Sequence, residues 1–427
     1  MSTVLIMGIQ ASGVSVAALL EREGHEIRLY DDKVKLERNW KDAGEAVFKG
    51  LDRIVISPAI PNTHPVVVGA KERGIPIVSE LQLGFERLPC EKIVVTGTNG
   101  KTTTVDMLTR MFQTAGKKAR AMGNIGYPVS QVVLDGDIPE IAVIEASNFQ
   151  LEYSNLHVHT AALLNLSPDH MDRYPTYEDY VNAKKRVFLN QTANDFAVLN
   201  YDNRILRELG RCLPSAVKWI SAKERKGDAY LKNNYFYYAD EPLVAVRESK
   251  AKGEHNRFNI MTALTIGGLY GVKREQMAAF VREYRVLPHR VEYVCTVGGK
   301  RYYNDSKGTN PGATKSAVET VGGKIGLILG GSDKKEDFCE LFDALFDRVA
   351  RVAVTGGNAE KIYQSALKVG YSEIEICPDL KAAIDYLAAA DDVDTVLLSP
   401  ASASFDRYHG YEERGNVFKQ LVYALKD

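Results

Sequence analysis

Short apolar runs alternate along the chain with longer stretches of helical spacing, and this alternation predicts the elements. Val4-Leu5-Ile6-Met7 reads as a strand, Gly8 to Gly13 as a turn, and Val14 to Glu23 as a helix stopped by Gly24. The strands Ile27–Tyr30 and Ile54–Ile56 follow, ending at Asp31-Asp32 and Ser57-Pro58. Strands separated by helical stretches argue for parallel βαβ units. This first unit runs to Leu88-Pro89. A second opens with the strand Lys92–Thr96, a glycine turn, and a helix from Thr102 to Ala115. Strands at Ile141–Ile144 and Ala161–Leu164 and helical spacing over Thr176–Leu189 and Asn256–Tyr270 continue it. A third unit begins near Leu287-Pro288 and holds the strands Ile325–Leu329, Arg351–Thr355 and Thr395–Leu398. The picture is three α/β units in series, without internal repeats or low-complexity tracts.

A chain of 427 residues is too long for one ordinary core, which agrees with several units. Its 54 Lys and Arg nearly cancel its 55 Asp and Glu. No net field therefore favours nucleic acid or an anionic membrane, and an anionic ligand must be held by a local site. The longest apolar runs are strand-sized, well short of the roughly 20 residues of a membrane helix. The N-terminus lacks a basic region followed by an apolar core, so no export is expected. Cys90, Cys212, Cys295, Cys339 and Cys377 are scattered and odd in number, which fits reduced thiols in a cytoplasm.

The glycine turn carries the first chemistry. In Gly97-Thr98-Asn99-Gly100-Lys101-Thr102-Thr103 a strand passes through glycines into a helix, so backbone N–H groups point at a phosphate. Lys101 supplies a mobile cation for the phosphates and Thr102 a hydroxyl for Mg²⁺. Val95 occupies the first glycine position of the longer pattern G-x-x-x-x-G-K-[ST], leaving only its shorter core. Downstream, Glu145 closes the strand Ile141–Ile144, where ligand-binding residues of parallel sheets collect. The polar run Asn165-Leu166-Ser167-Pro168-Asp169-His170-Met171-Asp172 follows another strand end. Magnesium needs one or two carboxylates besides nucleotide oxygens, so these positions are metal candidates. Taken alone, His170 reads as a loop histidine bound to backbone and Lys184 as part of a solvated helix face.

With these residues in order, the chain resembles the Mur ligase family. The resemblance spans nearly the whole length. It rests on Gly97–Thr103, Glu145–Glu152, Asn165–Tyr174, Gly253–Asn259, Leu287–Glu292, Asn304–Asn310 and Leu398–Ser404. It implies three domains: a Rossmann-like UDP-sugar-binding domain at 1–90, a central P-loop ATPase-like domain with a mostly parallel sheet at 91–286, and a Rossmann-like α/β amino-acid-binding domain at 287–427. It implies ATP and Mg²⁺ as cofactors and a cytoplasmic, monomeric enzyme of peptidoglycan precursor synthesis. Lys101 would contact ATP phosphates. Thr102 and Glu145 would hold one magnesium, and Glu145, His170 and Lys184, the last as a carbamate, a second. Asn256 and Asn259 would frame adenine, while Arg290, Asp305 and Lys307 would reach the nucleotide from the third domain. Within the family, Asp305–Asn310 matches the member that adds D-glutamate to UDP-N-acetylmuramoyl-L-alanine. Thr309, Lys334, Ser404 and Tyr411 match positions holding the incoming D-glutamate. Tyr411 stands where the family pattern has Phe, and Asn148 where it has Ser.

The first unit has a rival reading. Gly8-Ile9-Gln10-Ala11-Ser12-Gly13 approximates a dinucleotide fingerprint, but Gln10 occupies the second glycine position and blocks close approach of a pyrophosphate. Asp31 and Asp32 sit where Rossmann domains hold a ribose. The resemblance assigns this unit to the UDP-sugar, with Gln10, Ala11, Ser12, Asp31, Asp32, Ser57, Asn124, Ser147, Gln150 and His170 as candidate contacts. A dehydrogenase, a non-catalytic nucleotide sensor and a Mur-type ligase for another amino acid remain the competing readings.

Overall fold

A computed structural model of the chain describes residues 2–32, 45–223, 227–333, 336–345 and 347–425. They form three sheets with helices between the strands. The first sheet takes β1 (Thr3–Met7), β2 (Glu26–Tyr30), β3 (Arg53–Ile56) and β4 (Ile77–Ser79) in the order β2-β1-β3-β4, all parallel. The switch in strand order opens a crevice beyond the carboxyl ends of β1 and β3, where ligands of such sheets bind.

The second sheet has β5 (Glu91–Thr96), β6 (Ala119–Gly123), β7 (Ile141–Glu145), β8 (Thr160–Leu163), β9 (Phe196–Asn200), β10 (Ala216–Ser221), β11 (Ala229–Lys232), β12 (Tyr235–Tyr238) and β13 (Glu241–Ala245). Their order is β13-β12-β11-β10-β9-β8-β5-β7-β6, parallel from β6 to β11 and antiparallel beyond. The third sheet has β14 (Glu292–Val297), β15 (Lys300–Asn304), β16 (Ile325–Leu329), β17 (Val349–Val354), β18 (Ile374–Ile376) and β19 (Thr395–Leu398). It runs β14-β15-β19-β16-β17-β18, with only the β14–β15 pair antiparallel. Every residue of β16 and β19 is buried, as expected of strands covered on both faces.

By density of contacts the chain divides into two compact units. One comprises Met1–Leu166, Arg173–Glu248 and Phe258–Arg282, and so holds the first two sheets. The other comprises Ser167–Asp172, Ser249–Arg257 and Glu283–Asp427, with the third sheet.

The elements agree with periodicity to within a few residues, with instructive exceptions. The first helix begins at Ala11 rather than Val14, so Gly13 lies inside it. A Cβ at Gly13 would stand 1.9 Å from the carbonyl oxygen of Gly8, so glycine is required by close strand–helix packing rather than by a turn. The helical stretch from Thr176 is an α-helix only over Tyr177–Lys185, capped by Thr176, before a 3₁₀ turn at Arg186–Phe188. The hairpins were not expected. Each turns on two residues with positive φ: Asn233-Asn234 (50° and 61°), Ala239-Asp240 (50° and 63°) and Gly298-Gly299 (55° and 79°). This is the tight turn that matches strand twist. Gly298-Gly299 is a legible hairpin signal; Ala239-Asp240 is not.

Candidate phosphate and carboxylate-activating site

β5 delivers the chain into the glycine turn, and its register places Val95 opposite Glu145 on β7. The residue that breaks the longer glycine pattern is thus the sheet partner of the metal candidate. Gly97 (φ 150°) and Gly100 (φ 85°) take backbone angles that favour glycine, and the helix Lys101–Thr114 starts at once. The turn is held from outside. Asn165, just past β8, accepts the Asn99 N–H at 2.8 Å and donates to the Asn99 carbonyl at 2.9 Å. Its own carbonyl accepts the Thr98 N–H at 3.0 Å. The Thr98 hydroxyl meets the Tyr180 hydroxyl at 2.8 Å. Lys101 Nζ folds back on the turn, donating to the Gly97 and Thr98 carbonyls at 2.8 Å each. Thr102 and Thr103 lie in the first helical turn.

Glu145 is 2% exposed. Its Oε1 accepts from Asn124 Nδ2 at 2.8 Å, whereas its Oε2 is buried with no partner among the described residues. A buried carboxylate oxygen without a donor is costly unless a cation serves it. The donor set therefore suits a hard divalent cation. Lys184, 1% exposed, donates to the Gly97 carbonyl at 2.9 Å and lies over the Tyr180 ring, 4.8 Å from its centroid. Tyr180 and Lys184 are one helical turn apart, which aims both at the phosphate turn. Far from sitting on a solvated face, Lys184 is among the largest fully buried side chains. Among the described residues no three His, Cys, Asp or Glu side chains converge as a metal cluster.

The other candidates of this unit lie near strand ends, apart from Asn259 on the helix Glu254–Leu269. Asp31, after β2, accepts the Ile9 N–H at 2.9 Å. Asp32 accepts from the Tyr30 hydroxyl at 2.8 Å and lies 3.3 Å from His64 Nε2. Gln10, Ala11 and Ser12 form the entrance to the first helix, and Ser57 packs against Gly8, where a Cβ would come within 2.6 Å. Ser147 and Gln150 engage each other in a capping box, with Ser147 Oγ donating to Gln150 Oε1 at 2.9 Å. Asn148 donates to the Tyr174 hydroxyl at 2.9 Å. Asn259 stands against Gly100, its Oδ1 2.5 Å from where a Cβ would be.

In the second unit, His170 has φ 57° and its N–H donates to Asp169 Oδ1 at 2.9 Å; Asn310 Nδ2 donates to Asp169 Oδ2 at 3.3 Å. Asn256 and Arg290 line one cavity of about 610 Å³, together with Lys250, Lys252, Arg285 and Tyr303. His255, next to Asn256 in the chain, is half-buried. Burial and the neighbouring Arg290 charge lower its pKa to about 4. Asp305 is buried, accepts from Ser399 Oγ at 2.7 Å and the Val291 N–H at 3.2 Å, and is pushed by burial up to about 7. Lys307 Nζ lies 3.9 Å from the centroid of the Tyr411 ring. Thr309 follows it, its N–H donating to the Lys307 carbonyl at 2.8 Å. Ser404 is buried after β19, and its carbonyl accepts the Tyr408 N–H at 2.9 Å. Lys334 lies outside the described residues.

Sequence reading missed the residues that hold these loops. Arg414 is 3% exposed and donates to Ser306 Oγ at 3.0 Å, and to the Ser306, Ser402 and Ala403 carbonyls at 2.8, 3.1 and 3.3 Å. It ties the segment carrying Lys307 and Thr309 to the one carrying Ser404. Arg173 likewise donates to the Pro58 and Ile60 carbonyls at 2.6 and 2.7 Å. Neither has a local signal, because both act on chain segments far away in sequence. Asn165 and Tyr180 were legible only in part, one from its strand-end position and the other from its spacing to Lys184.

Residues 95–267 match the family described as Mur ligase middle domain, and 289–402 the Mur ligase, glutamate ligase domain. The UDP-N-acetylmuramoylalanine–D-glutamate ligase of Koribacter versatilis is 36% identical over 444 residues, covering 99% of this chain and 98% of its own. That of Lachnoclostridium phytofermentans is 35% identical, with the same coverage. Among solved structures, MurF ligase from Thermotoga maritima in complex with ADP superposes with a TM-score of 0.64 at 17% identity, over 98% of this chain and 95% of that one. The UDP-N-acetylmuramate-alanine ligase MurC of the same organism gives 0.62 at 17%, over 99% and 100%. These last two speak for the three-domain fold alone. Both domain matches fall in order on the segments that build the site, and the full-length relatives exceed 30% identity from end to end: the chain belongs to the Mur ligase family.

Proposed function

We propose that this chain is an ATP-dependent ligase that joins D-glutamate to UDP-N-acetylmuramoyl-L-alanine through an acyl phosphate, in peptidoglycan precursor synthesis. The full-length relatives carry that activity in their names. The observation that best supports the chemistry is the pairing of Val95 with Glu145, which sets a buried carboxylate with one unserved oxygen beside the phosphate turn. Glu145 and Thr102, with Lys184 as a carbamate and His170, are the residues that would hold Mg²⁺. The ion would screen charge on the transferring phosphoryl group.

The chain's own residues do the rest. The turn's backbone N–H groups and Lys101, which donates to the Gly97 and Thr98 carbonyls, orient the ATP phosphates. The cavity bounded by Asn256 and Arg290 supplies a cationic wall for the nucleotide. Gln10, Ala11, Ser12, Asp31, Asp32, Ser57, Asn124, Ser147 and Gln150 orient the UDP-sugar so that its carboxylate attacks the γ-phosphate. Asp305 and Lys307 complete the nucleotide contacts. Lys334, Thr309, Ser404 and Tyr411 hold the two carboxylates of D-glutamate while its amine attacks the acyl carbon and phosphate leaves. We read 1–90, 91–286 and 287–427 as the three functional domains of a cytoplasmic monomer.

The test is phosphate release from ATP with the UDP-sugar peptide and a panel of amino acids. Release should require D-glutamate. Equal release with L-alanine or L-glutamate would overturn the assignment of the amino acid.

A further inference from the structure

The strand order of the third sheet reverses between β16 and β19. From β16 the chain builds outward to β17 and β18, then returns to lay β19 on the other side of β16. Loops leaving the carboxyl ends of two such strands part and open a crevice for ligand. One of these loops begins at Gly330-Gly331, and the other runs from Ser399 to Ser404, a residue proposed above to contact D-glutamate. A third loop, Thr355 to Asn358, leaves the next strand over, β17, and touches both.

Asn358 makes the contacts, and it is 3% exposed. Its Oδ1 accepts the Gly331 N–H at 2.9 Å, and its own N–H donates to the Gly331 carbonyl at 3.0 Å. Its Nδ2 donates to Ser402 Oγ at 2.9 Å. The side-chain amide can face only one way. The Gly331 N–H can only donate, so the oxygen turns to it and the nitrogen is left for Ser402. Ser402 is fully buried, so water does not compete for its hydroxyl. Beside the two gripped residues, Ser332 and Ala403 form an isolated bridge, with the Ser332 N–H donating to the Ala403 carbonyl at 2.8 Å. Asn358 thus fixes both sides of the pairing that leads into Ser404.

Local rules would send this side chain elsewhere. Asn358 is the N-cap of the helix Ala359–Lys368, where an asparagine ordinarily accepts an N–H of the first helical turn. It makes no such bond. Asn310 and Asp379, the N-caps of two other helices in the same unit, do make it, accepting the Ala313 and Ala382 N–H groups. A cap diverted from its own helix to two loops marks a place where loop position is kept at some cost to the helix.

We infer that Asn358 is a positioning residue for the amino-acid substrate, setting Ser404 against a D-glutamate carboxylate by tying the Ser402 hydroxyl to the Gly331 backbone. The inference rests on the proposed role of Ser404 in binding D-glutamate. Arg414 holds the same segment by the Ser402 and Ala403 carbonyls. Loss of Asn358 therefore leaves the segment attached but free to shift.

The experiment measures KM for D-glutamate, ATP and the UDP-sugar peptide, with kcat, in wild type, Asn358→Leu, Asn358→Asp and Ser402→Ala. Asn358→Leu keeps the shape and removes both side-chain bonds. Its KM for D-glutamate should rise on the order of tenfold, with the other two KM values level. Ser402→Ala removes one of the bonds and should raise the same KM about threefold. Asn358→Asp should return it to near wild type, because one carboxylate oxygen accepts the Gly331 N–H and the Ser402 hydroxyl turns to donate to the other. A KM for D-glutamate unchanged in both Asn358→Leu and Ser402→Ala would overturn the proposal. So would a rise of all three KM values together, which is the mark of a merely structural role, or Asn358→Asp no better than Asn358→Leu. Should Asn358→Leu fail to fold, the KM values of Ser402→Ala carry the test alone. Wild-type turnover that does not need D-glutamate would instead overturn the proposed function, so the two failures are distinct.

Discussion

Asn165 grips Asn99 by both backbone groups, its Oδ1 taking the N–H at 2.8 Å and its Nδ2 giving to the carbonyl at 2.9 Å. A side-chain amide thus replaces a strand partner for a turn that has none. Replacing Asn165 by Ala should cost about 1–3 kcal/mol in stability, because it removes both side-chain hydrogen bonds to the Asn99 backbone. It should also raise the KM for ATP roughly tenfold by loosening the amides that face phosphate. Thermal melts and ATP titrations check this. An unchanged KM for ATP would show that the turn is rigid without the clamp.

Gly100 faces two penalties on substitution. Its φ is 85°, and a Cβ would stand 2.5 Å from Asn259 Oδ1. Gly100→Ala should therefore lose about 1–2 kcal/mol from the backbone term alone. ATP binding should weaken further as Asn259 is displaced. Adding Asn259→Ser should return part of the stability but not the nucleotide affinity. Calorimetric ATP binding and urea unfolding separate the two.

Lys184 is buried, with its ammonium on the Gly97 carbonyl and over the Tyr180 ring. If it acts as a carbamate, activity must depend on dissolved carbon dioxide. Stripping bicarbonate should lower turnover by at least roughly tenfold, and its return should restore it. Lys184→Arg, which keeps a cation but forms no carbamate, should be inactive under both conditions. Full turnover without bicarbonate would rule the carbamate out.

Asp305 carries a pH signature. Burial raises its pKa to about 7 in the folded chain, above the ordinary carboxylate value of about 4. The folded state then binds the proton more tightly than the unfolded one. Stability is fully present below pH 4 and declines as pH rises toward 7, levelling above it. Asp305→Asn should remove this decline, so the difference between variant and wild type should grow by on the order of 2–4 kcal/mol across that window. Urea titrations at pH 4.5, 6 and 8 measure it. A constant difference would place the ionised carboxylate in a better-served site than its contacts suggest.

Much of the site could be read before folding because its parts obey short-range rules. Gly97 to Thr103 is one strand–turn–helix passage, and Glu145 ends a buried strand where parallel sheets display their ligands. Lys184 was read wrongly when taken alone. Its stretch is polar, and only its one-turn spacing from Tyr180 hinted that it points inward. The Asn233-Asn234 and Ala239-Asp240 turns were missed because their flanking strands are four or five residues long, too short for alternation to stand out.

Periodicity and turn chemistry alone settled the α/β class, the ends of most parallel strands and the phosphate turn, since each depends on neighbours within a few residues. Folding decided the rest. That Asn165 serves Asn99, that Arg414 binds Ser306, Ser402 and Ala403 together, and that the Ser130 hydroxyl meets both Glu80 and Ser15 are relations between residues up to 115 positions apart. A buried polar group must find its partner wherever the chain brings one, and nothing in the local pattern records which partner that will be.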